Sequence, residues 1–426
     1  MKNKVKQIID NYRQEIIDLG DTLFKTPELG YKEFKTKEIL VNYFKLHGLK
    51  VESEYCITGF KITIGEGKPH IGLIAELDAI PTANHPYANL DDLNAAHSCG
   101  HSTQCAIMAA ALVALNQIDE LKNKGRVTLY FTPAEEYTDL AYRETLINEG
   151  KIKNPGGKVN MLLEDVFGDV DLCIHLHAMS EGKYQYGVNS RLAGFIYKKF
   201  IFKGKASHAA VLPHEGINAL NAFSLFLQAS AMLRETFKDD DMNRFHGRLV
   251  EAGDTVNSVP EKAIYESYVR SFNPNTLKEL SAKLTNAAIH SAKAIGADCE
   301  VLDRPGYLPF NPSRPLSEVV YKNMLEYVDD EVIIKDEKSI AAGDVGDLAC
   351  FKPTIQFGYG GIKGVVHGKN MEIGDKELVY ITTAKIVAAS VVDLLNDYSL
   401  VEGILKDFET TMTFDEYLAY LNSGDC

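Results

Sequence analysis

Tryptophan is missing altogether, and nothing about function follows from that. Three other absences exclude more. No apolar run approaches the roughly 20 consecutive residues that a bilayer-crossing helix needs, so no membrane partner is expected. Positive charge is not in excess: 45 Lys and Arg face 59 Asp and Glu, for a net charge of -14. Nucleic-acid binding needs basic side chains to neutralise phosphates, so no nucleic-acid partner is expected either. The acidic balance speaks for solubility and names no substrate. An apolar signal-peptide core is also lacking at the start, where MKNKVKQIIDNYRQEIIDLGDTLF is charged throughout and reads as an amphipathic helix. Cysteine is sparse. Seven are scattered along a chain large enough to need no staples, which fits a reducing, cytoplasmic setting.

What is present is ordinary globular material, 45% hydrophobic and 24% charged. At 426 residues the chain is too long for one core, and about two to three domains are expected. Residues 1–50 read as helical, with Ile8, Ile9, Tyr12, Ile16 and Ile17 at helical spacing. Strands follow at Phe60 to Ile64 and at Ile71–Gly72–Leu73–Ile74–Ala75, a run apolar enough for burial on both faces. AIMAAALVAL (106–115) reads as a buried helix and Val127 to Phe131 as the next strand. This alternation predicts an α/β domain with a mainly parallel sheet, and functional groups at the carboxyl ends of its strands.

The texture changes near residue 190. Strand-like FIYKKFIFKGKASH, the helix-like stretch 216–237, two more strands, a helix over 277–297 and the closing CEVLDR make an α+β pattern. The chain therefore divides into a catalytic domain, 1–189 and 306–426, and an inserted domain, 190–305. The insert is read as a four-stranded antiparallel sheet with two helices. A long helix from Leu378 to Leu395 returns to the first domain, and the tail after 400 reads as acidic and helical.

Four stretches concentrate chemistry-bearing residues. AELDAIP places Asp78 just after a buried strand, where it is either functional or a turn former. AAHSCGHSTQC sets His97, Cys99 and His101 at alternate positions, with Gly100 allowing a tight bend. Cys and His are the usual ligands of zinc and similar ions. FTPAEEY ends a strand on the pair Glu135 and Glu136. Burying both requires a compensating cation, and one carboxylate can bind an ion while its neighbour moves a proton. DLCIHLHAM puts His175 and His177 on one face of a strand, and His367 lies in a glycine-rich loop. In the inserted domain His208, His214, Asn257 and Arg270 could act, or could simply face solvent.

Taken in order, these stretches resemble the aminoacylase/carboxypeptidase family of metallo-amidohydrolases, which includes hippurate, auxin-conjugate and p-aminobenzoyl-glutamate hydrolases. The resemblance starts at TPELGYKEFKT (26–36). It continues through AELDAIP, HSCGH, PAEE, the Asp171–His177 strand, GKASHAAVLPH, NSVP and the C-terminal His367. GDVGDLACFKPT is most similar to the p-aminobenzoyl-glutamate hydrolase and dipeptidase branch. The resemblance implies two divalent ions, zinc or manganese, held by Cys99, His101, Glu136, His177 and His367, with Cys99 bridging. His177 is taken over His175 for its spacing from Asp171. Glu135 would be the general base, and His208 would stabilise the oxyanion in the partner subunit of a homodimer formed through the inserted domain. Asn257 and Arg270 would help hold substrate. The implied activity is hydrolysis of an amide bond in N-acyl amino acids, aminobenzoyl-glutamate-like conjugates or dipeptides. A deacetylase, an aminopeptidase variant and a non-catalytic relative are the alternatives. Three positions depart from the family pattern. Ser102 stands where Asp or Asn is usual, Gln104 where many members have His, and Ala178 where Pro is usual. An acidic residue at 102 would steady a ligand better than serine does.

Overall fold

The structure is a computed structural model, and it describes residues 1–422. The fully apolar run forms the strand His70–Glu76, buried at every position. It lies in an eight-stranded sheet between Gly125–Thr132 and Leu172–Ala178, parallel to both. Thr354–Tyr359 extends the parallel set beyond Leu172–Ala178. Antiparallel pairing enters only towards the edges, through Gly59–Glu66 with Ser53–Tyr55 on one side and Tyr186–Val188 on the other. The sheet is thus mixed but parallel at its centre, as expected from strands whose faces are both covered. Its four parallel strands end together. The chain leaving them carries Asp78, Glu135 and Glu136, His177, and the loop to His367.

The helix His101–Asn116 is buried from His101 to Leu115, which suits a segment apolar on all sides. It starts at Gly100, whose φ of 88° is left-handed. A Cβ there would come within 2.6 Å of the Ala178 Cβ, so only glycine fits the bend between Cys99 and His101. The N-terminal helices Lys2–Asn11, Arg13–Phe24 and Phe34–Leu46 feed the same core.

The helical stretch Glu377–Asn396 departs from the expectation that no segment is apolar enough for a bilayer. By length and composition it could cross one. It is a core helix instead, since 83% of its apolar window is buried inside the protein.

The chain separates into two compact units. The first comprises Met1–Arg191, Asn311–Lys338 and Asp347–Thr411. The second comprises Leu192–Phe310, Ser339–Gly346 and the chain from Met412. Its sheet has the strands Arg244–Glu251, Lys262–Ser271, Gly194–Lys203 and Asp298–Pro305 in that order, all antiparallel. The helices Ala219–Leu233 and Pro274–Ala294 complete it around a core of its own, including Phe200, Phe226, Val269 and Leu284. Two short segments of this unit, 339–346 and the chain from 412, fall in the catalytic domain when boundaries are drawn from sequence. Arg270 holds the Ile340 carbonyl at 3.2 Å and the Tyr420 hydroxyl reaches the Gly306 carbonyl, which ties both segments to the insert. Such contacts leave no periodic trace in sequence. The expected acidic tail forms the helices Tyr398–Asp407 and Phe414–Leu421, and its last four residues lie outside the described part.

Candidate metal and catalytic centre

Five side chains from four chain segments meet at the carboxyl end of the first unit's sheet. Cys99 Sγ lies 3.3 Å from His177 Nε2 and 3.3 Å from His367 Nε2. His367 Nε2 lies 3.1 Å from Glu136 Oε1. Two sets of potential ligand atoms result, Cys99–His101–His177 and Cys99–Glu136–His367, with Cys99 common to both. Ligands 2.0–2.3 Å from a tetrahedral ion stand about 3.3–3.7 Å apart, so both sets have nearly the spacing of a coordination shell. The mixed sulfur, nitrogen and carboxylate donors suit borderline-soft divalent ions. His101 Nε2 is buried without a hydrogen bond of good geometry, and it faces carboxylate oxygens of Glu76 at 3.1 Å and Glu135 at 3.9 Å. The residues present therefore fit a metal pair.

Burial sets the protonation of this cluster. It pushes His177 down to about 4, leaving a neutral imidazole able to donate a lone pair. It pushes the Cys99 thiol well above its usual range, so the thiolate needs a cation beside it. Burial works against the Glu136 carboxylate too, but the His367 hydrogen bond and charge bring it down to about 2. His367 is raised in return, first by that same hydrogen bond.

The geometry separates His175 from His177. His175 is fully buried, with Nε2 3.1 Å from Glu76 Oε1 and Nδ1 3.1 Å from Gln356 Oε1. Both of its nitrogens are engaged away from Cys99. His177 holds the Ala178 carbonyl through Nδ1 at 2.9 Å, which turns Nε2 towards Cys99.

Of the residues that support the candidate ligands, Asp78 is ambiguous in the sequence, and Glu76 and Lys158 give no sign there. Asp78 Oδ1 lies 3.1 Å from His101 Nδ1, and Asp78 Oδ2 accepts the Glu136 backbone N–H at 2.9 Å. One carboxylate thus fixes the ring orientation of His101 and the loop carrying Glu136. Asp78 lies just after the strand His70–Glu76 and is the acid that meets His101 Nδ1. Gln104 grips Glu76 twice, accepting its backbone N–H and donating to Oε2. Glu76 is buried, and Lys158 Nζ, also buried, pairs with its Oε1 at 2.6 Å. Burial would raise this carboxyl, yet Lys158 and then His175 and His101 hold it far below its usual value. Glu76, His101 and Glu135 form a third group of potential ligand atoms, but Lys158 and Gln104 already occupy Glu76. A lysine inside a helical stretch gives no sequence sign of this role.

Glu135 is buried and points differently from Glu136. Its Oε2 is 3.9 Å from His101 Nε2, and it belongs to neither of the two sets that share Cys99. The remaining candidates lie in the second unit. His208 and Asn257 come together there, because the Ala209 N–H donates to the Asn257 carbonyl at 2.9 Å and His208 bridges to Ser258. His208 Nδ1 accepts the N–H groups of Ala210 and Val211, so a neutral ring carries its proton on Nε2. Arg270 stands apart from them. Its Nε donates to His246 Nε2, and its guanidinium lies over the rings of Phe195 and Tyr268. His214 is exposed beside Glu215.

The sequence profile of Peptidase family M20/M25/M40 matches residues 72–391. The human (Homo sapiens) Xaa-Arg dipeptidase is 23% identical over 453 residues, covering 98% of this chain and 94% of the relative. A p-aminobenzoyl-glutamate hydrolase chain of Escherichia coli (strain K12) is 25% identical, covering 76% of this chain and 64% of the relative. Among solved structures, a dinuclear metal binding peptidase of Bacillus subtilis shares the fold, with a TM-score of 0.68 and 19% identity. That match covers 90% of this chain and 99% of the other.

Proposed function

Since the chain belongs to Peptidase family M20/M25/M40 and is a metallo-amidohydrolase or peptidase by that membership, we propose that it cleaves an amide bond next to an amino-acid carboxylate. N-acyl amino acids, aminobenzoyl-glutamate-like conjugates and dipeptides are the substrate classes. The observation that carries this reading is the junction at Cys99, where two sets of ligand atoms share one sulfur and Glu135 belongs to neither set.

Cys99, His101 and His177 would hold one ion, and Cys99, Glu136 and His367 the other. Zinc and manganese suit these donors. Such a pair, when bound, supplies a polarised carbonyl and a water of lowered pKa. The protein does the rest. Asp78 keeps the His101 proton on Nδ1 and leaves Nε2 for coordination. Glu135 accepts the proton of the attacking water and returns it to the departing nitrogen. His208 supplies an Nε2–H donor for the negative charge that develops on the carbonyl oxygen. In a homodimer built on the second unit, that donor would serve the partner subunit. Asn257 is the nearer substrate-holding candidate, because it is fastened to the His208 segment, whereas Arg270 commits two nitrogens to internal contacts. The location we propose is the cytoplasm.

The test is metal titration followed by a ninhydrin assay on a panel of N-acyl amino acids and dipeptides. Two ions per chain and turnover of at least one panel class are expected. One ion or none at saturation, or a fully loaded protein that turns over nothing, rejects the reading. Release of acetate alone, with longer acyl chains and dipeptides untouched, selects a deacetylase instead.

A further inference from the structure

The segment TPELGYKEFKT carries part of the family resemblance, yet none of its residues belongs to the ligand sets. The fold shows where it goes. The Glu28 carbonyl accepts the Ala79 N–H at 2.8 Å, one residue beyond Asp78. Leu29 packs with Ala79 and Ala95 in a small buried cluster. Lys32 Nζ spans Asp92 and Asp139 at 2.7 and 2.8 Å. Glu33 is completely buried. Its Oε1 accepts the Ala134 N–H at 2.9 Å, and its Oε2 takes the Thr58 hydroxyl at 2.5 Å. One short segment thus braces the chain on both sides of the site, beside Asp78, before Cys99 and before Glu135.

The contact with Ala134 has the most consequence. Ala134 has φ 52°, a left-handed conformation that a residue with a side chain rarely adopts. It directly precedes Glu135, so this backbone angle sets where the Glu135 side chain leaves the chain. Both polar groups of Ala134 are held. The N–H goes to Glu33, and the carbonyl accepts the Gly157 N–H at 3.0 Å. Gly157 can come this close only because it has no Cβ, which would fall 1.6 Å from the Pro133 oxygen. Gly30 likewise makes room on the other side, since a Cβ there would sit 2.7 Å from the Ala134 Cβ. Glu33 is the side-chain member of this grip and lies remote in sequence from the strand it holds.

We propose that Glu33 is a positioning residue whose carboxyl group fixes the left-handed backbone of Ala134 and thereby aims Glu135 into the reaction site. The inference rests on the reading of Glu135 as general base. Loss of the acceptor lets Ala134 relax towards ordinary backbone angles and swings Glu135 off its line. Asp78 still holds the Glu136 N–H at 2.9 Å, so the ligands are expected to keep their places and the ions to stay bound.

The test compares Glu33→Ala and Glu33→Gln with the parent and with Glu135→Gln, all as full chains loaded with Co²⁺. The amide oxygen of Gln keeps an acceptor for the Ala134 N–H, and Ala removes it. Hydrogen exchange is read on the peptide spanning 133–137, alongside the Co²⁺ spectrum, the ion stoichiometry, and kcat and KM on the best panel substrate. Expected for Glu33→Ala are an unchanged spectrum and stoichiometry, exchange at Ala134 faster by about 10-fold or more, and kcat lower by about 10²-fold with KM little altered. Glu33→Gln should restore both the protection and the rate. Unchanged exchange in Glu33→Ala overturns the proposal even if no substrate is found. So does ion loss with a normal rate per loaded site, or failure of Gln to rescue. Normal turnover in Glu135→Gln overturns instead the reading of the base. A slow Glu135→Gln beside a normal Glu33→Ala rejects the brace alone.

Discussion

Two adjacent glutamates with different duties are the sharpest case at the scale of single residues. Glu136 meets His367 and Cys99, while Glu135 lies outside that set. Glu135→Gln is therefore expected to keep both ions and lose turnover by roughly 10²-fold or more, because an amide cannot take the proton. Glu136→Gln should lose metal first. Metal content and rate, measured on both variants, decide this; equal metal loss in the two would mean that ligand and base are not separate. Glu33 gives a second residue-level outcome. Burial first, and then the charge of Asp78, raise its carboxyl to about 8. A folded state that retains a proton released on unfolding loses stability as pH rises between the unfolded and folded values. The window here runs from about pH 4.5 to about pH 8, at up to about 1.4 kcal/mol per pH unit. Glu33→Gln has no proton to lose, so its stability should gain on the parent as pH goes from 5 to 8. Urea midpoints of the two proteins at both pH values read the difference, and parallel curves would show that Glu33 is ionised throughout.

At the scale of elements, the strand His70–Glu76 and the helix Gly157–Leu163 are joined by a buried charge pair, Glu76 with Lys158. Removing one partner strands the other. Lys158→Met should destabilise the protein by about 3–5 kcal/mol, and adding Glu76→Leu should recover much of that. Denaturation of the single and double variants measures the coupling, and additive losses would refute it. Elements are also what the sequence reveals best. The apolar run at 71–75, the buried helix after Cys99 and the alternating strands of the insert show themselves by period and composition, because burial dictates side-chain type along each element. The ligand set follows from residue type and from the resemblance, and its expected members Cys99, His101, Glu136, His177 and His367 do converge. What stays hidden is side-chain pairing between distant elements. In sequence, Asp78 reads as much like a turn former as a partner of His101. Lys158 reads like a helix surface residue, and Glu33 like a charge ahead of a helix.

Considered as a whole molecule, the protein has a sheet in its second unit whose strand Arg244–Glu251 lies at an edge and exposes Leu249 and Val250. An open edge of this kind invites pairing with another chain. We expect a homodimer through this unit. Sedimentation equilibrium should give twice the chain mass of 47.2 kDa, and Leu249→Lys should shift it towards one. A parent that sediments as a monomer at high concentration removes both the dimer and the shared His208. The arrangement of chain segments has a further consequence, which concerns time. Residues 192–310 hold most of the second unit's core, so that unit can consolidate soon after leaving the ribosome. The first unit cannot. Its strand Thr354–Tyr359 slots between two strands made much earlier, Leu172–Ala178 and Tyr186–Val188. His367 follows still later, 268 positions after Cys99. Cys99, His101 and His177 are thus all synthesised well before His367 completes the second trio. A truncated chain ending at Gly346 should take up one ion at most, and the second ion would be among the last things this protein acquires.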